Sequence, residues 1–192
     1  DVQDYGDKKF KISDYKIVKD LKLKKNKFKK KINIQQNNYL INKIINHKSD
    51  KKFNGVSIDS KSVKRGNLFI AIKGKNNDGH KFIKQAVLKG ASNCVISKKF
   101  SKIPRNKVIK VSNTYNFLKK LASLKRNHTN GKIIAVTGSS GKTSVKYLIG
   151  NLLKNYGKTY FSPKSFNNYY GVPLSLCNLE QEHKYGVFEI GM

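Results

Sequence analysis

Residues 133–144 read I-I-A-V-T-G-S-S-G-K-T-S. An apolar run feeds a glycine turn, and the turn ends in Gly-Lys-Thr. A strand, a tight turn and a helix N-terminus in that order build an anion site. Gly138 and Gly141 let successive N–H groups face one centre, with Ser139 and Ser140 between them. A helix opening near Lys142 adds the positive end of its dipole. Lys142 would reach the β- and γ-phosphates of a nucleotide, and the Thr143 hydroxyl would bind Mg2+, with Ser144 beside it. The full pattern G-x-x-x-x-G-K-[ST] asks for glycine where this chain has Val136, so the loop is the shortened form G-x-x-G-K-T. Alone that form is only moderately specific; the strand before it and the amphipathic helix after it strengthen the reading.

Downstream, residues 142–155 carry Val145, Leu148, Ile149, Leu152 and Leu153 at helical spacing, which predicts one apolar side. K-T-Y-F-S (158–162) reads as a strand. V-P-L-S-L-C-N-L (172–179) fits a short helix with Pro173 in its first turn. Y-G-V-F-E-I (185–190) reads as a buried strand with Glu189 at its end. In a parallel sheet that end lies beside the phosphate loop, where a carboxylate can hold a metal ion. The alternative is a strand-end glutamate facing solvent.

Upstream, strands are expected at 55–60, 68–72, 94–96 and 108–111, with helices at 80–89 and 113–128. Arg65-Gly66-Asn67 reads as a turn, and Gly90 as the cap that ends the first helix. The alternation predicts a small α/β domain over 51–112, a connecting helix and linker over 113–131, and the start of a mostly parallel nucleotide-binding domain over 132–192. Residues 1–50 read as a basic extension with linker, including K-L-K-K-N-K-F-K-K-K at 22–31. Within it, Tyr39 to Ile45 fits a short strand or a helix equally well.

The chain of 192 residues carries a formal charge of +30. Such a charge raises the question of a nucleic-acid partner. Against it, the arginines are only Arg65, Arg105 and Arg126, and arginine is the residue favoured for base readout and bidentate phosphate clamps. The excess lysine comes with excess Asn, Ile, Tyr and Phe, the signature of an AT-rich coding sequence. No specific nucleic-acid partner is expected. The cysteines, Cys94 and Cys177, sit in apolar settings and read as buried thiols. No apolar run is long enough to span a membrane, and no signal-peptide core stands at the N-terminus, so a cytoplasmic protein is expected. Asp1 at one end and E-I-G-M after an apolar strand at the other suggest a piece of a longer protein.

T-G-S-S-G-K-T-S resembles the ATP loop of the Mur ligases, the ATP-dependent amide-bond ligases of peptidoglycan synthesis, whose loop also lacks the first glycine. S-F-N-N-Y-Y-G-V-P-L-S-L (165–176) and the final E-I-G-M are similar to segments of the branch that adds D-alanyl-D-alanine to UDP-N-acetylmuramoyl-tripeptide. G-V-S-I-D-S-K-S-V-K-R-G-N-L-F-I-A-I-K-G and D-G-H-K-F-I-K-Q-A (78–86) resemble that family's UDP-binding domain. Lys61 stands where the family usually has arginine, and Tyr169 and Tyr170 where acidic and aliphatic residues are common.

The resemblance implies a two-step ligation. ATP phosphorylates the terminal carboxylate of the UDP-linked tripeptide, and the amine of D-Ala-D-Ala attacks the acyl phosphate. It implies Lys142 on the γ-phosphate, Thr143 and Glu189 on Mg2+, and Asn167 and Asn168 positioning phosphate or metal-bound water. The other reading of the asparagines is a turn-forming pair. Ser60, Lys61 and His80 would face the UDP part, although His80 could equally cap the helix that follows. V-Q-D-Y-G-D-K-K-F-K-I-S-D-Y-K-I-V (2–18) resembles the tail of the preceding ligase of the pathway, which suggests a fusion of the two. A folylpolyglutamate-type ligase shares the loop style, and a basic nucleotide- or nucleic-acid-binding protein is the non-enzyme alternative.

Overall fold

The computed structural model describes residues 34–45, 50–74, 77–100 and 103–191. The segment resembling a preceding ligase's tail and the basic cluster at 22–31 lie outside these residues.

A four-stranded sheet is built from Val56–Ser57 (β1), Leu68–Ile70 (β2), Asn93–Ile96 (β3) and Val108–Lys110 (β4). Every pairing is parallel and the order is β1-β2-β3-β4. Alternate side chains leave opposite faces of a strand. Leu68, Ile70 and Val95 enter one core, while Phe69, Ala71, Cys94 and Ile96 enter another. Both faces are therefore covered, which is why β2 reads as an unbroken apolar run.

The helix Ile83–Leu88 (α2) covers the second face with Ile83 and Ala86, entered through a 3-10 turn at Gly79–Phe82. The first face is covered by a helix over residues 34–45 (α1) and by Thr114–His128 (α3). Leu40 and Ile41 of α1 are fully buried in that core, and Asn37 Nδ2 donates to Phe53 O at 3.0 Å. The helix thus wins over the strand for Tyr39 to Ile45. The first packed unit reaches back to at least residue 34 rather than starting at 51, so these residues are not part of an extension.

β1 is shorter than its apolar pattern predicts. Ser57 Oγ donates to Asp59 O at 2.8 Å, and Asp59 Oδ1 accepts from the Lys61 N–H at 2.9 Å. Short polar side chains here offer the backbone a turn in place of the ladder.

The second sheet contains Lys132–Val136 (β5), Thr159–Phe161 (β6) and Tyr185–Glu189 (β7), parallel and ordered β5-β7-β6. The connections are the helices Lys142–Leu153 (α4) and Gly171–Cys177 (α5). Placing β7 between β5 and β6 puts Glu189 in register with Val136, at the mouth of the phosphate loop.

α4 departs from expectation. Val145, Leu148 and Leu152 are 43%, 71% and 58% exposed, whereas Lys146 and Gly150 are buried. The face turned to the sheet is fixed by contact rather than by hydropathy. A Cβ on Gly150 would meet the Phe161 ring at 2.5 Å, and Lys146 pairs with Glu189 on β7.

The helix α5 of the second unit shares a core with the first sheet. Leu118 and Leu121 of α3 cluster with Leu174 and Cys177 of α5 and with Val56, Leu68 and Val95 of the first sheet. The Asn178 amide also ties the exposed edge of β1 to α5. Its Oδ1 accepts from Val56 N–H at 2.9 Å, and its Nδ2 donates to Val56 O at 3.0 Å and Leu174 O at 2.9 Å. Cys94 and Cys177 are buried free thiols. Burial pushes the Cys94 thiol up to about 11 and Cys177 higher still, so both stay protonated and inert at neutral pH. No described helix is long and apolar enough to cross a membrane.

Candidate functional site

Gly141 is the N-cap of α4, at φ +73, and a Cβ there would meet nothing within 4 Å. The residue is glycine because of this left-handed backbone, not for want of space. No side chain caps α4, so its first-turn N–H groups face the loop's concavity. The Lys142 ammonium lies across that concavity and donates to Gly138 O at 2.5 Å and Ser139 O at 3.1 Å. A phosphate would compete for this ammonium with two neutral carbonyls, and an anion is the stronger acceptor. Ser139, Ser140 and Ser144 are exposed on the loop and at the start of the helix.

Glu189 closes the site from β7. Its carboxylate is buried, yet every described partner is a donor. Oε2 accepts from Thr143 Oγ1 at 2.7 Å and from Lys146 Nζ at 3.3 Å; Oε1 accepts from Asn167 Nδ2 at 2.8 Å. Burial alone would raise its pKa. The hydrogen bonds from Thr143, Asn167 and Lys146, with the Lys146 charge, overcome burial and hold the carboxyl below its ordinary value. Glu189 is therefore an anion at neutral pH. Ser165 Oγ stands 3.4 Å from Thr143 Oγ1.

The two asparagines divide the roles foreseen for them. Asn167 turns inward to Glu189. Asn168 turns away: its Oδ1 accepts from the N–H groups of Tyr170 at 3.1 Å and Gly171 at 2.9 Å, bracing the turn into α5. For Asn168 the turn-forming alternative is the one observed. Beyond them lies a cleft of about 450 Å3 walled by Tyr115, Tyr169, Pro173 and Ile190.

The residues expected to face a uridine diphosphate fare unevenly. His80 is buried, with both ring nitrogens used. Nε2 accepts from the Ser97 N–H at 3.0 Å, which leaves the proton on Nδ1, 2.6 Å from Asp78 Oδ1. Asp78, not His80, caps the 3-10 turn, accepting from His80 N–H at 3.1 Å. Ser60 is also buried and donates to Gln85 Oε1 at 2.6 Å. Both side chains hydrogen-bond within the protein. Lys61 is exposed; its neighbours Asp59 and Ser62, with Ser57 and Lys64, help to line a cleft of about 480 Å3 between the two units.

Lys146 is the site residue that sequence reasoning missed. It is fully buried one helical turn below Lys142. Its spacing from Lys142 was the available signal, but Lys and Arg together number 41 in this chain, and one lysine more carries little information.

The donor set suits a magnesium-bound nucleotide. A hydroxyl, a carboxylate and an amide oxygen are hard ligands for a small divalent cation, and the Lys142 ammonium with the uncapped helix N-terminus suits phosphate. A parallel sheet with a glycine loop at a strand end, a lysine-threonine helix start and a facing acid defines a phosphate-loop nucleotide-binding protein. More narrowly, the chain belongs to the Mur ligase family. The family's middle domain matches residues 136–192, and a second family model, described as the Mur ligase family catalytic domain, matches residues 52–126.

The UDP-N-acetylmuramoyl-tripeptide–D-alanyl-D-alanine ligase of Rickettsia prowazekii is 41% identical over 139 residues, covering 72% of this chain and 31% of the relative. That of Buchnera aphidicola subsp. Baizongia pistaciae is 44% identical over 138 residues, covering 71% of this chain and 30% of the relative. The chain thus spans just under a third of the length of these relatives. Among solved structures, MurF from Acinetobacter baumannii superposes with a TM-score of 0.68 at 28% identity, over 81% of this chain and 35% of that one. The MurF ligase of Thermotoga maritima, in complex with ADP, gives 0.57 at 36% identity, over 71% of this chain and 32% of that one.

Proposed function

We propose that this chain supplies the nucleotide loop and the uridine-substrate module of an ATP-dependent ligase that joins D-alanyl-D-alanine to UDP-N-acetylmuramoyl-tripeptide. The observation that carries the reading is the meeting of Lys142, Thr143, Asn167 and Glu189 at the ends of β5 and β7. The names of the relatives support the substrate assignment.

The reaction needs the tripeptide's terminal carboxylate to take the γ-phosphoryl of ATP, releasing ADP, and the dipeptide amine then to attack the acyl phosphate, forming the amide as inorganic phosphate and a proton leave. A magnesium ion held by Thr143 and Glu189 would supply charge neutralisation for the phosphates. The chain's own residues position and stabilise. The α4 N-terminus and the loop N–H groups cradle phosphate oxygens. Lys142 exchanges its two carbonyls for the γ-phosphate and steadies it as charge shifts. Thr143 and Glu189 would hold the metal, and Asn167 fixes the direction of the Glu189 carboxylate. The uridine diphosphate end is assigned to the first sheet, near Lys61, because Ser60 and His80 are spent internally. The reaction belongs in the cytoplasm, where UDP-linked precursors and ATP meet.

The test is titration of a fluorescent ATP analogue against the 192-residue chain in Mg2+. Saturable binding competed by ADP is expected. Lys142→Ala should weaken it by about 10- to 100-fold, the loss of a charge-assisted contact of about 1.5–3 kcal/mol, with thermal stability unchanged. No binding by the wild-type chain at millimolar nucleotide overturns the reading.

A further inference from the structure

We propose that Lys146 is a positioning residue of the nucleotide site: a buried cation that sets the orientation of Glu189 and of the 163–167 turn for the metal-bound nucleotide. The inference rests on the nucleotide-site reading above and deepens it.

A lysine with no exposed surface is unusual, because burying an ammonium is costly unless it is paired and hydrogen-bonded. Lys146 meets that demand on three sides. Nζ stands 3.3 Å from Glu189 Oε2, donates to Lys164 O, and lies 4.6 Å from the centre of the Tyr147 ring. Thr143, one turn earlier on α4, donates to the same oxygen of Glu189.

Two features indicate that this arrangement is specific. The first is the backbone at Lys164. Among the described residues it alone is a non-glycine with positive φ, at +50, and its carbonyl is the one that accepts the Lys146 hydrogen bond. Its N–H is held too, donating to Tyr147 Oη at 3.1 Å. A lysine in the left-handed region is strained. Here the strained residue is gripped on both sides by α4, and the turn it opens carries Ser165 and Asn167 back to the site.

The second is the count of lone pairs. A carboxylate has about four acceptor directions. Thr143, Lys146 and Asn167 occupy three. Rotation of the carboxylate is blocked, and one direction is left for a further ligand. Lys146 therefore acts through Glu189 and does not touch the nucleotide.

The test uses the whole chain and measures the dissociation constant of a fluorescent ATP analogue in Mg2+ and in EDTA, beside thermal melts. In the wild type Mg2+ should tighten binding about tenfold or more. Lys146→Met should leave EDTA binding within about twofold of wild type and abolish most of the Mg2+ gain. Lys146→Arg keeps the charge but changes reach and shape, and should retain a reduced gain. Were Lys146→Met not to fold, the arginine variant decides: a reduced gain supports the proposal and a full gain overturns it. A Mg2+ gain undiminished or enlarged in folded Lys146→Met overturns it, since a lysine beside a metal site would then only repel the ion. Wild-type chain that binds no nucleotide in either condition sinks the nucleotide-site reading itself, and wild-type chain that binds with no Mg2+ gain overturns this proposal alone.

Discussion

Asp78 shows how much one short side chain can do in the first unit. Oδ1 receives the His80 backbone N–H and ring Nδ1–H, and Oδ2 receives Lys98 Nζ at 2.8 Å. The Lys98 hydrogen bond, against some penalty from burial and with help from His80, holds the carboxyl well below the usual carboxylate range. The sign of the pH effect follows. Folded Asp78 binds fewer protons than unfolded Asp78, so its stabilisation is complete above the unfolded value of about 3.9 and is lost as pH falls below it. Asp78→Ala removes a cap and leaves His80 Nδ1 without its acceptor, and should cost about 2 kcal/mol at pH 7. The gap to wild type in urea melts should narrow steadily from pH 4 to pH 2. A gap independent of pH would show that the carboxylate charge contributes nothing. D-G-H marked a functional segment in the sequence, but which residue faces inward was not legible there. That depended on Ser97, 17 positions away from His80, arriving with its N–H aimed at Nε2.

At the scale of elements, the strands and helices of the second unit were largely legible because glycine, proline and apolar periodicity agreed at each boundary. β5, α4, β6 and β7 lie within the segments expected of them, and α5 starts one residue before its own. What failed was which side of α4 is buried. Its apolar stripe is a property of the helix alone, whereas its orientation is set by Glu189 and Phe161 on other strands, and no local pattern encodes them. The same holds for Asn167 and Asn168. Adjacent residues with one chemistry take opposite jobs because the chain turns into α5 directly after Asn168, whose side chain braces that entry, while Asn167 still faces Glu189. Gly171, the first residue of α5, enforces that geometry. A Cβ there would lie 2.7 Å from the Phe166 carbonyl carbon and 2.8 Å from its Cα, and backbone cannot step aside as a side chain tip can. Gly171→Ala should destabilise the chain by about 1–3 kcal/mol. It should also swing Asn167 off Glu189, so nucleotide affinity in Mg2+ should fall in protein that is still folded. Unchanged melting and unchanged affinity together would show that the turn relaxes freely.

On the scale of the whole molecule, the boundary drawn from sequence at 113–131 is a joint in the chain but not in the core. α3 was read as a connector, yet it packs against the first sheet with one part of its surface and against α5 with another. Leu118 and Leu121 are fully buried where the two meet, and Cys177 Sγ donates to Leu118 O at 3.7 Å. The Asn178 amide adds polar pairing between β1 and α5 at the same seam. Such a shared core predicts that the nucleotide loop and the first sheet unfold as one cooperative unit rather than as two modules on a hinge. Leu121→Ala deletes a buried side chain at the seam and should cost about 2–5 kcal/mol. Native-state hydrogen exchange is the measurement that distinguishes the cases. If the units are coupled, amides of β2 and β7 in the variant lose protection by the same amount, because both open only in global unfolding. If β7 keeps its wild-type protection while β2 weakens, the second sheet stands by itself. The contacts of α3 with α5 would then be docking of two separate folds, and changes in the first unit would leave Glu189 and the phosphate loop undisturbed.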